Sequence, residues 1–169
     1  WDVFISDEEI MIIHRSGGII GLNMDQRIMM GKLQLDEIKR HLVFKSAEKK
    51  REIWIKPLLE EIVYIAGLIL RETGQSDTIW DNISIGSDYN GMITPLRSFR
   101  NAEKFPLLDE TMFSELKKMR DTEITLAGKT DGQIREITSK ILWKNNLLFL
   151  QKHFGHLYRT GDDQARHKT

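Results

Sequence analysis

The run "ISIGSDYNG", residues 83–91, ends a stretch of alternating apolar residues on an aspartate, Asp88, with small residues on both sides. A carboxylate there accepts hydrogen bonds and can take up and return a proton, the two abilities that general acid–base chemistry needs. The C-terminal mouth of a parallel strand is where barrel enzymes keep such groups. The same run holds Asn90-Gly91, which between apolar alternations is the strongest short-range hairpin signal. Asp88 is therefore a catalytic carboxylate or a turn residue, and the local pattern leaves both open.

Other chemistry-bearing residues have plainer readings. "SGGIIG", residues 16–21, has the glycines of a phosphate cradle but in the wrong order. A cradle follows a strand and opens a helix, whereas these glycines end a helix and enter a strand, so a helix C-cap is expected. His153 and His156 could share a helical face and bind metal, yet no third ligand stands at a supporting spacing, and Gly155 is expected to break the helix between them. His14 and His41 fall within amphipathic stretches and read as surface or boundary residues.

Composition narrows the classes of partner. Basic and acidic residues each number 25, the formal net charge is zero, and no long basic run offers a footprint for nucleic acid. With no cysteine there is neither a disulfide framework nor a thiolate metal site, and the compartment stays unreadable. The most apolar run, "EIVYIAGLIL", falls well short of the ~20 residues a membrane span requires. A soluble chain is expected. It begins at Trp1 without a methionine and shows no leader pattern, so it reads as a piece of something longer.

The elements that must position Asp88 are well punctuated. "SDEE", residues 6–9, has capping-box spacing and opens a short helix that ends near Ser16. "IIGLNM" reads as a brief buried strand. Helical spacing returns at 36–44 and again at 47–72, where Pro57 must begin or kink the helix and Gly74 closes it. "DNISIG" resumes strand alternation, with Ile83 and Ile85 on one face. "LLDETMFSELKKMR" is amphipathic, and Thr130 with Gln133 forms a second capping box ahead of a terminal helix. Residues 156–169 read as a polar, frayed tail behind a single segment, 1–155.

Strands separated by helical crossovers pair in parallel, so residues 82–87 should lie parallel to 19–23, with Asn23 and Asp88 at the same end. The fold class is α/β and helix-rich. A closed (β/α)8 barrel takes about 250 residues, so a barrel would be represented here only by its last quarter to third, with its last parallel strands. A compact, mostly helical domain with a small parallel sheet is the alternative.

"IGSDYNGMITPL" resembles the last-strand motif of the membrane dipeptidase (renal dipeptidase) family of the amidohydrolase superfamily, Gly-[Gly/Ser]-Asp-Phe-Asp-Gly. "SDEEIMIIHRSGGIIGLNM" is similar to that family's helix leading into the seventh strand, with Asn23 at its Val/Leu-Asn ending. "TDGQIREITSKILWKNNLLFL" resembles its closing helix, with Asn145 at the asparagine of Gly-Asn-x-Leu-Arg-Val. The likeness spans most of residues 6–154.

The resemblance implies a TIM-type barrel with two zinc ions at its mouth and hydrolysis of a dipeptide or similar small amide by metal-activated water. Asp88 would handle the proton of the attacking water and hold the substrate's amino group. Asn23, Asn90 and Gly91 would lie at the substrate. Asn90 stands where the family has a second aspartate, and Leu148 where the closing helix has arginine. The zinc ligands are upstream of the matched segment, and the family's carboxylate-binding arginine falls near Val3 without a match. No tightly bound zinc is therefore expected in this chain alone. Strands built for burial would leave edges open in the isolated segment and favour self-association. The competing reading is an inactive or incomplete helical interaction module with Asp88 in a structural turn.

Overall fold

The computed structural model describes residues 5–91 and 93–166, with backbone alone from 156 onward. Val3 lies outside the described residues. Helix α1 (Asp7–Ser16) starts at the expected capping box: Ser6 Oγ accepts from the Glu9 amide, and the Glu9 carboxylate accepts from the Ser6 amide at 2.7 Å. It stops at Gly17, whose φ of 68° only glycine adopts without penalty. "SGG" is thus a C-cap. The chain then enters strand β1 (Ile20–Leu22), a four-residue helix α2 (Gln26–Met29), helix α3 (Lys32–His41) and the long helix α4 (Ala47–Thr73), capped by left-handed Gly74.

Pro57 sits inside α4 rather than at its start. Its missing N–H removes one intrahelical bond, and the burial of the neighbouring Ile55, Leu58, Leu59 and Ile62 offsets that loss. Burying each such side chain is worth about 1.5–3 kcal/mol. Strand β2 (Ile83–Ile85) follows α4 and is buried on both faces.

The strands pair in parallel, Ile20 opposite Ile83, Gly21 opposite Ser84 and Leu22 opposite Ile85. The α4 crossover makes this the expected arrangement, and it puts Asn23 and Asp88 at the same end. The backbones approach closely: a Cβ on Gly86 would lie 3.0 Å from the carbonyl of Gly21. Residues 85–91 do not form the antiparallel hairpin that Asn-Gly suggested. One edge of β2 is already taken by β1, and the chain beyond the turn crosses over to pair Pro95 with Asp25 in an isolated antiparallel bridge.

Helix α5 (Phe105–Lys118) packs on α4 and on α6 (Asp131–Ser139), which opens at the second expected capping box, Thr130 with Gln133. A π-turn at Lys140–Lys144 joins α6 to α7 (Asn145–Arg166) and lies against β2. The backbone of α7 passes through Gly155 without a break, and the segment 156–169 is helical as far as Arg166. One glycine costs a helix only ~1 kcal/mol against alanine, less than it takes to end a run of good helix formers.

The core is one cluster that joins α4, β2, α5 and the α6–α7 junction, with Ile62, Ile83, Phe99, Met112 and Ile141 fully buried. The architecture is a helix-rich α/β domain around a two-stranded parallel sheet. No helix among the described residues is long and apolar enough to cross a membrane.

The outer edge of β2 is closed by side chains. Asn145 Nδ2 donates to the carbonyls of Trp80 (2.7 Å) and Ile83 (2.8 Å), and Asn146 Nδ2 donates to that of Ile85 (3.4 Å). Among the described residues the outer edge of β1 has no such cover. Ile20 and Leu22 bond to β2, so by the alternation of a parallel ladder Gly21 turns its amide and carbonyl the other way.

Candidate functional site

Asp88 stands three residues beyond β2, at the C-terminal end of both strands. It is the one non-glycine residue with positive φ among the described residues, at 58°. Aspartate tolerates this left-handed conformation better than most residues because its short polar side chain can interact locally. The carboxylate folds over Gly91, where a Cβ would come within 2.7 Å of its Cγ. A side chain at position 91 would make the exposed Asp88 carboxylate turn aside. The Gly91 amide donates to the Asp88 carbonyl at 2.9 Å, closing a four-residue turn.

Within that turn Tyr89 is the anchor. Its hydroxyl reaches Met24 Sδ at 3.3 Å and its ring meets Phe105 edge-on at 6.1 Å. Burial pushes the phenol up to about 12, so it stays a neutral donor. The Asp88 side chain enters no hydrogen bond or ion pair among the described residues, and it is exposed, as are Asn90 and Gly91.

Asn23 is at the same end, but its side-chain oxygen accepts from the Asp25 amide at 2.7 Å in an Asx turn. It also lines a mostly apolar groove along the open edge of β1, with Ile10, Leu22, Glu61 and Tyr64. Tyr64 donates from its hydroxyl to Asp7 at 2.5 Å. Among the described residues Glu61 has no such partner, and burial raises its pKa above the ordinary 4.5.

A carboxyl whose pKa rises on folding adds stability below its unfolded value, and that contribution is lost as pH climbs through the folded value. Glu61→Gln is accordingly expected to raise the melting temperature at pH 7.5 and to change it little at pH 4. Equal effects at both pH values would show that Glu61 is not desolvated.

Asp25, which sequence reasoning passed over, is the structural centre of this end of the sheet. It is 1% exposed and caps α2 by accepting from the Arg27 amide at 2.8 Å, and it receives the Arg27 guanidinium at 3.0 Å on each oxygen. Burial pushes this carboxyl up, but hydrogen bonds from Arg27 and Thr94 outweigh it and hold the group below the ordinary carboxylate range. The only signal in sequence was an N-cap aspartate before a very short helical run.

Among the described residues the histidines do not converge. His14 Nδ1 bonds Asn82 Oδ1 at 2.6 Å, His41 lies beside Glu37, and His153 packs on Phe149. The His156 side chain lies outside the described atoms. Among the described residues no three histidine, aspartate or glutamate side chains are grouped so as to hold a metal. Compared with protein-family models, curated proteins and solved structures, the chain matches none.

Proposed function

We propose that this chain is the C-terminal part of a zinc-dependent dipeptidase-like hydrolase with a (β/α)8 barrel, cleaving small dipeptides, and that Asp88 is its acid–base residue. The observation that carries the reading is a carboxylate held in a left-handed backbone at the C-terminal end of a parallel strand, with no structural use for its charge. Backbone outliers of this kind cluster at functional sites. Asp88 would take the proton from the attacking water, return it to the leaving amine and hold the substrate's ammonium group. The described residues do not themselves form a zinc site, so in this reading the ligands come from upstream chain and no step is assigned to metal here. The open edge of β1 is where a preceding strand would pair, and self-association of the isolated segment would be directed there.

Purified longer protein carrying this segment should hydrolyse a simple dipeptide, lose that activity to a chelator and regain it with zinc. Metal-replete protein inert toward a dipeptide panel would overturn the reading. One observation favours the alternative, an interaction module with Asp88 in a structural turn: Asn145 and Asn146 already close the edge of β2 that a barrel would pair with another strand.

A further inference from the structure

The segments leaving the two strands are joined side by side. The Gln26 amide donates to the Thr94 carbonyl at 2.9 Å, the Leu96 amide to that of Met24 at 3.1 Å, and Gln26 Nε2 to that of Pro95 at 3.2 Å. Against this seam lies a recess of about 470 Å³, lined by Gln26, Arg27, Lys39, Thr94, Arg97 and Arg100 together with Leu35 and Pro95. Its size suits a small molecule. Its charge is one-sided: four cations from three parts of the chain, and no acidic residue in the lining.

Arg27 is committed to Asp25, which fixes the direction of its guanidinium. Among the described residues no carboxylate lies within ion-pair distance of Lys39, Arg97 or Arg100. Elsewhere among the described residues cations such as Lys117, Arg135 and Lys140 are paired with carboxylates, whereas these three are gathered round one recess without one. Like charges round one recess repel, and an anion relieves that repulsion. Gln26 is 4% exposed, and its Oε1, closed from solvent, has no hydrogen-bond partner among the described residues.

We infer that this recess binds a small anionic molecule through carboxylate or phosphate oxygens. Arg97 and Arg100 supply the planar forks that match such oxygens two at a time, and Lys39 supplies a point charge. The inference stands on residues of this chain alone and does not depend on the dipeptidase reading.

Calorimetric titration of the chain at low salt with inorganic phosphate, and separately with succinate, tests it. Saturable binding is expected, and the probe that binds more tightly identifies the anion class. Arg97→Gln combined with Arg100→Gln should weaken binding by about tenfold or more, as should a rise in ionic strength, because the forks are solvent-facing. Arg15→Gln on α1, remote from the recess lining, should leave binding unchanged. Both arginines are exposed, so an unchanged melting temperature is expected of the double variant, and Lys39→Gln provides an independent second variant. Absence of saturable binding for both probes, or equal affinity in the double variant and the parent, overturns the inference.

Discussion

On the proposed function, replacing Asp88 with asparagine in a longer, zinc-loaded protein is expected to lower kcat on a dipeptide by about 10²- to 10⁴-fold, the usual contribution of a general acid–base, while the melting temperature and zinc content hold. The two halves of that expectation have separate causes. The fold is indifferent because Asp88 makes no side-chain hydrogen bond or ion pair among the described residues and sits at φ 58°, a conformation asparagine adopts at least as readily. The turn is held instead by the Gly91 amide and by Tyr89 against Met24 and Phe105. Chemistry is affected because an amide of the same size can neither take up a proton nor pair with an ammonium group. A purely structural Asp88 predicts the opposite, full activity in Asp88→Asn with zinc verified bound. Asp88→Ala is a poorer test, since it removes the left-handed tolerance along with the charge.

The parts of the fold that were legible in sequence are those decided by neighbours in the chain. Ser6 with Glu9 and Thr130 with Gln133 are reciprocal caps three residues apart, and Gly17 and Gly74 are left-handed stops. The parallel pairing of β1 and β2 followed from the length of the crossover, not from any residue in the strands. The misreadings occurred where distant contacts decide. Asn90-Gly91 carries a local hairpin signal, but β1 occupies the strand partner, and Pro95 is drawn to Asp25 instead. Gly155 carries a local break signal that its helix outweighs. Lys39, Arg97 and Arg100 are unremarkable along the chain, and only the seam between the two post-strand segments brings them to one recess. The π-turn at Lys140–Lys144, which precedes the paired asparagines, has no sequence signature at all.

Those asparagines carry the second large effect. Asn145→Ala in this chain is expected to cost about 3 kcal/mol, since each buried carbonyl left without its donor costs ~1–3 kcal/mol, or roughly 6–12 °C in melting temperature for a chain of this size. Asn145 is 4% exposed and serves two carbonyls at 2.7 and 2.8 Å, so water cannot readily replace it. Asn146, at 3.4 Å from the Ile85 carbonyl and only partly buried, should cost well under half as much when truncated. Asn145→Asp keeps the shape but turns an acceptor toward two acceptors, and should be worse than alanine. The same variant also separates the two readings of the whole. If a barrel strand pairs with the outer edge of β2 in the longer protein, that strand gives the Ile83 carbonyl another donor, and Asn145→Ala costs about half as much there, only the Trp80 carbonyl losing its donor. If β2 is the end of the sheet in the longer protein too, the loss is as large as in the isolated chain. Thermal melts of Asn145→Ala in both contexts therefore measure whether the edge that Asn145 covers is a true edge.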